Sequence, residues 1–165
     1  MQEKSSGPTQ SPDSIKNSPC PVISVRGRSG SGKTTLITRI VENMAIKGFQ
    51  IVVIKHSSKT NPAIDPEGKD TAKHLQAGAS LVVGSFKETT FFFLKNPMTL
   101  ERILRVCSNL GDWDLCLIEG YYHEAIPNIV LESKDSNTLT IANSAEQPLE
   151  IIVEKLHQII AQDRL

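Results

Sequence analysis

Apolar residues in this chain fall into short runs separated by stretches with helical spacing. Val22-Ile23-Ser24-Val25 predicts a first strand. Leu36, Ile37, Ile40, Val41 and Met44 recur at three- and four-residue intervals, one face of a helix that runs to about residue 47, with Gly48 as its C-cap. Ile51-Val52-Val53-Ile54 is a continuous apolar run, the pattern of a parallel strand buried on both faces. Residues 57–68 read as loop, and a helix over 69–77 is expected to stop at Gly78. Leu81-Val82-Val83 and residues 90–94 read as two strands, close enough to pair as a hairpin or to lie as near neighbours. Residues 98–110 carry Leu100, Ile103, Leu104 and Cys107 on one helical face. Leu115-Cys116-Leu117-Ile118 is another buried-type strand, followed by strands at 129–131 and 138–142. A closing helix over 148–161 turns Ile152, Val153, Leu156, Ile159 and Ile160 inward. Alternating strands and helices imply an α/β fold of three layers, a mostly parallel sheet flanked by helices with right-handed crossovers.

Composition narrows the class. Residues 1–19 are rich in Ser, Pro, Gln and Lys, and Ile15 is their only large apolar residue after Met1. Such a segment cannot bury enough surface to offset its ordering entropy and is expected to be disordered, leaving 20–165 as one domain. Lys plus Arg number 18 and Asp plus Glu number 18, with no block of like charge, which argues against a nucleic-acid binder. Three cysteines without C-x-x-C spacing fit a reducing, cytoplasmic setting. No apolar run approaches the roughly 18 residues that span a bilayer, so no membrane partner is expected.

The chemistry enters between the first strand and the first helix. Gly27-Arg28-Ser29-Gly30-Ser31-Gly32-Lys33-Thr34 is a complete G-x-x-x-x-G-K-[ST] phosphate-binding loop, the P-loop or Walker A element. Its glycines let successive N–H groups aim at phosphate oxygens, and the helix dipole adds positive potential at the same point. Lys33 is expected to bridge the terminal phosphates and the Thr34 hydroxyl to ligate Mg²⁺. The 51–54 strand is expected next to this loop, with Lys55 and His56 at its carboxyl end, the edge where α/β sheets bind ligands. Glu119 ends the apolar strand Leu115-Cys116-Leu117-Ile118 like the acid of a Walker B element, although a strand that simply exits into solvent at a charge reads the same way. Asp65 and Asp70 are further candidates for the metal. Asp65 before Pro66 could equally form a turn, and Asp70 could open a helix. Tyr121-Tyr122 could stack on a planar ligand or pack as a loop pair. No [NT]-K-x-D run reads guanine; Ser133-Lys134-Asp135 and Asn143-Ser144 are weak matches where a base-reading loop could lie.

Gly27 to Leu36, Ile54-Lys55-His56, Asp65-Pro66-Glu67-Gly68-Lys69-Asp70, Ala77-Gly78-Ala79 and Glu119-Gly120-Tyr121, in that order and spacing, resemble the MobB family, the molybdopterin-guanine dinucleotide biosynthesis protein B. The resemblance covers about residues 21–125. It implies a P-loop GTP-binding adapter with weak GTPase activity. Such an adapter assists a MobA-like guanylyltransferase in attaching a guanine nucleotide to molybdopterin during molybdenum cofactor biosynthesis. It further implies GTP and Mg²⁺ as cofactors and a homodimer. By residue matching, Gly27 to Thr35 would bind phosphates, with Lys33 and Glu119 in the catalytic roles. Thr34, Asp65, Asp70 and Glu119 would surround Mg²⁺, and Lys55 and His56 would line the same edge. A small-molecule kinase using ATP shares the loop and the sheet. Kinases usually close an arginine-rich lid over the phosphates, whereas here only Arg102 and Arg105 cluster, on a helix.

Overall fold

A computed structural model describes residues 15, 18–57, 70–122, 124–132, 134 and 137–164. Most of the polar leader, Asp65, His123, Ser133 and Asp135 lie outside the described residues. Backbone contacts divide the chain into two compact units, one formed by residues 1–57 and 104–165, the other by 58–103.

The first unit is built on a five-stranded sheet. Its strands are β1 (Val22–Arg26), β2 (Ile51–Lys55), β5 (Leu115–Glu119), β6 (Asn128–Val130) and β7 (Thr140–Asn143), in the order β2-β5-β1-β6-β7, with every neighbouring pair parallel. Its helices are α1 (Lys33–Ala45) and α4 (Leu149–Asp163), which pack on each other, and the sheet is the mostly parallel, helix-flanked type expected from the sequence. Period-2 alternation sorts the strands. Ile23 and Val25 of β1, Leu117 of β5 and Ile129 of β6 meet Ile37, Ile40 and Met44 of α1 and Ile152, Val153, Leu156 and Ile160 of α4 in one core. Cys116 and Ile118 point to the other face and are also buried, so β5 is covered on both sides, as its unbroken apolar run requires.

The same run in β2 has a different cause. β2 is an edge strand, with Ile54 buried and Val53 47% exposed, and β5 lies between it and β1. The expectation of a doubly buried β2 beside the phosphate loop is therefore corrected: a short apolar run cannot distinguish an edge strand from a central one, and pairing order is set by nonlocal contacts. β6 begins one residue earlier than expected, at a fully buried Asn128. Its side chain donates to Ile126 O (3.2 Å) and Asn137 Oδ1 (3.2 Å) and accepts from Thr140 Oγ1 (2.9 Å). Those bonds tie β6 to β7 at the irregular step between Asn128 and Ile129.

The second unit contains α2 (Asp70–Gln76) and an antiparallel hairpin, β3 (Leu81–Ser85) with β4 (Thr90–Leu94), paired from Leu81↔Leu94 to Ser85↔Thr90. Gly84 faces Phe91, and a Cβ built there would stand 2.3 Å from the Phe91 Cζ, so the ring lies over the glycine. Phe91 and Phe93 turn to one face and meet edge-on, with centroids 5.8 Å apart. Leu81, Val83, Phe92 and Leu94 form the opposite, exposed face. Helix α3 (Leu100–Ser108) follows, with Leu100 and Leu104 buried. Among the described residues no helix is long and apolar enough to cross a membrane.

Candidate functional site

β1 delivers the chain into the phosphate loop at the carboxyl edge of the sheet, between β5 on one side and β6 on the other. The loop closes onto α1 through Gly32, which is left-handed at φ 95° and ψ 14°, a conformation that a Cβ would strain. Gly27 permits close packing instead: a Cβ there would meet Ser31 Oγ at 2.7 Å and Leu131 Cβ at 3.2 Å. Leu131, just beyond β6, thus backs the loop, held by its N–H to Arg26 O at 3.0 Å. The first turn of α1 contains no acidic residue of its own and no side-chain cap.

The charged groups are already organised. Lys33 is almost fully buried, and its Nζ donates to Gly27 O (3.0 Å) and Arg28 O (2.6 Å), folded back inside the loop. Thr34 Oγ1 donates to Glu119 Oε2 at 3.0 Å, joining the start of α1 to the end of β5. Lys55 Nζ lies 3.3 Å from the same Oε2. Thr35 is exposed one residue further along α1. Among the described residues the buried Ser31 Oγ has no hydrogen-bond partner.

Behind Glu119 the chain turns sharply. Gly120 has φ +111°, and a Cβ there would stand 2.8 Å from His56 Cβ and 3.2 Å from His56 O. The His56 N–H donates to Glu119 O at 2.8 Å, extending the β2–β5 ladder. Tyr121, at φ 53°, holds an uncommon left-handed backbone. Its ring lies on that of His56, centroids 4.4 Å apart and tilted by 36°. Tyr122 Oη donates to Gly27 O at 3.2 Å, sharing that carbonyl with Lys33. Arg26 completes the frame, its guanidinium donating to Ser24 Oγ (3.0 Å) and Glu124 O (2.7 Å). Burial lowers the Arg26 pKa, and burial followed by the nearby Glu124 raises that of the Tyr121 phenol.

The structure therefore brings Gly27 to Thr35, Lys55, His56 and Glu119 to one edge. Asp70 lies in the second unit as the first residue of α2, 88% exposed and 3.3 Å from Lys73, as a helix-opening acid does. Asp65 lies outside the described residues. Of the weak base-reading matches, Lys134 pairs with Glu132 at 2.6 Å, and Asn143 Oδ1 accepts the Ala145 N–H at 3.0 Å. Arg26 and Leu131 join the loop without a sequence signal of their own, and Tyr122 joins it as one of the tyrosine pair whose role the sequence left open. Their link to it is a backbone carbonyl or a packing contact, and neither demands a particular residue type in a motif.

The site suits a magnesium–nucleotide complex. Its loop has a buried hydroxyl unpartnered among the described residues, an enclosed ammonium, and a hydroxyl–carboxylate pair at one point. Among the described residues no three His, Cys, Asp or Glu side chains gather into a metal cage. Mg²⁺ needs only one or two protein oxygens, and the Thr34 hydroxyl and the Glu119 carboxylate meet at one point.

Comparisons with known proteins identify the family. Residues 22–154 match the family model for MobB, molybdopterin guanine dinucleotide synthesis protein B. A molybdopterin-guanine dinucleotide biosynthesis adapter protein of Haemophilus influenzae is 31% identical over 144 residues, 82% of this chain and 80% of that protein. A putative adapter of the same description from Methanocaldococcus jannaschii is 40% identical over 123 residues, 72% of this chain, which spans only 50% of that longer protein. The crystal structure of Bacillus subtilis MobB superposes with a TM-score of 0.68 at 24% identity, covering 82% of this chain and 97% of that one, a likeness of fold. By its sequence along most of its length, with a fold to match, this chain belongs to the MobB family.

Proposed function

We propose that this protein is a cytoplasmic GTP-binding adapter of molybdenum cofactor biosynthesis, working beside a MobA-like guanylyltransferase that attaches a guanine nucleotide to molybdopterin. The observation that carries the reading is a complete phosphate loop in which Thr34 meets Glu119, in a chain whose relatives are named adapters of this step. The same family match supports the adapter reading and gives no support to the kinase alternative.

The chain's own groups divide the work. Backbone N–H groups of Gly27 to Thr35 surround the phosphates, and Ser31 Oγ gains the partner it lacks among the described residues. Lys33 exchanges Gly27 O and Arg28 O for phosphate oxygens, so its desolvation is already met before ligand arrives. Thr34 and Glu119 hold Mg²⁺. The bound metal supplies neutralisation of phosphate charge. Lys33 and Glu119 take the catalytic roles of a weak GTPase. Slow, partner-dependent hydrolysis is what the family resemblance implies. Guanine preference rests on the family. The exposed apolar hairpin face of Leu81, Val83, Phe92 and Leu94 supports a homodimer.

The test is co-elution with a purified molybdopterin guanylyltransferase, with and without GTP and Mg²⁺. A complex that raises dinucleotide yield, and loses that effect in Lys33→Ala, is expected. A protein that neither binds the transferase nor alters its yield contradicts the reading.

A further inference from the structure

Lys55 ends β2 and stands in register with Glu119, which ends β5. Parallel neighbours in register project their side chains to the same face of the sheet. The ammonium of Lys55 lies 3.3 Å from Glu119 Oε2, the same oxygen that accepts the Thr34 hydroxyl at 3.0 Å. The two partners differ in freedom: the Lys55 side chain is 60% exposed, the Glu119 side chain 15%. A sheltered carboxylate thus meets one fixed hydroxyl and one mobile cation. Lys33 is occupied elsewhere, on Gly27 O and Arg28 O.

Resting on the nucleotide-binding reading above, we infer that Lys55 is a positioning residue that stands in for the divalent cation. Its ammonium holds the Glu119 carboxylate turned onto Thr34, and it yields that oxygen when Mg²⁺ arrives. A lysine suits this role because its charge sits at the end of a flexible stem and can leave without disturbing the strand. This differs from a phosphate ligand, the role that its place on the sheet edge suggests. The ion pair sets a threshold for the metal: Mg²⁺ must displace an ammonium to gain the carboxylate. A partly exposed pair of this kind shifts an equilibrium by about two- to five-fold.

The test uses the full chain, a fluorescent guanine nucleotide and a Mg²⁺ titration, followed by nucleotide anisotropy. The unaltered protein is compared with Lys55→Met and Lys55→Arg. Half-saturation by Mg²⁺ is expected to fall about two- to five-fold in Lys55→Met and to return in Lys55→Arg. An unchanged half-saturation in Lys55→Met overturns the inference. So does an equal loss of nucleotide affinity with chelator and with saturating Mg²⁺, which would make Lys55 a phosphate ligand. Failure of the unaltered protein to bind the nucleotide at all would instead overturn the nucleotide-binding reading, and this inference with it.

Discussion

Gly120→Ala tests the geometry behind Glu119 with a single methyl group. The backbone there has φ +111°, where an L-residue is strained by about 1–2 kcal/mol. The added Cβ would also stand 2.8 Å from His56 Cβ and 3.2 Å from His56 O. Neither atom is the end of a flexible side chain, so backbone must move, at an overpacking cost of about 1–3 kcal/mol. The sum, about 2–5 kcal/mol, corresponds for a chain of this size to a melting temperature lower by roughly 5–15 °C. Gly48→Ala separates the two contributions. Gly48 also has positive φ (+87°), but nothing lies within 4 Å of its added Cβ, so only the strain remains. Calorimetric melting of both variants should rank Gly120→Ala well below Gly48→Ala. Because the displaced atoms adjoin Glu119 and His56, Gly120→Ala should also need more Mg²⁺ to bind nucleotide. Equal melting temperatures for the two variants would refute the close packing of β2 and β5 at this point.

Other perturbations probe separate parts of the molecule. Lys33→Ala removes a charged donor from the loop and should weaken nucleotide binding by about 10- to 100-fold, read by calorimetry. Asn128→Leu deprives Thr140 and Asn137 of their buried partner and should cost about 2–4 kcal/mol, seen as a lower urea midpoint with an unchanged slope. Burial pushes the Cys20 thiol from its usual 9.0 up to about 11, with Asp163 adding to the effect, and raises Cys116 as well. An acid whose pKa is raised by folding contributes stability that is complete below its unfolded value and is lost above it. Stability should therefore fall as pH rises from about 9 towards 11, with a shallower fall in Cys20→Ala. If the exposed hairpin face joins two copies as proposed, Phe92→Glu on it should lower the mass seen in light scattering to that of one chain.

What the sequence disclosed follows from how local each signal is. The phosphate loop is legible because four fixed residues within one turn of chain meet one backbone requirement. Glu119 is legible because an acid closing an apolar strand marks the sheet's carboxyl edge, and the hairpin because two β-rich runs lie only a few residues apart. The order β2-β5-β1 is not legible, since β5 reaches its place from some sixty residues downstream of β2 and the pairing leaves no mark on either strand alone. The carboxylate partner of Lys55 depends on that same order and was hidden with it. Asn128 lies just before the strand expected at 129–131, and its three side-chain bonds account for a buried amide inside a strand. Left-handed Tyr121 carries no compositional warning, because its conformation is imposed by the contact with His56 and the bond of Tyr122 to Gly27 O.

The central claim is that the loop at Gly27 to Thr34 binds a guanine nucleotide with Mg²⁺. Titration calorimetry of the full chain with GTP and with ATP, each with and without Mg²⁺ and repeated on Lys33→Ala, tests it most directly. The expected result is Mg²⁺-dependent binding of GTP, weaker binding of ATP, and a large loss of GTP affinity in the variant. Preference for ATP, or GTP binding that survives Lys33→Ala unchanged, would contradict it.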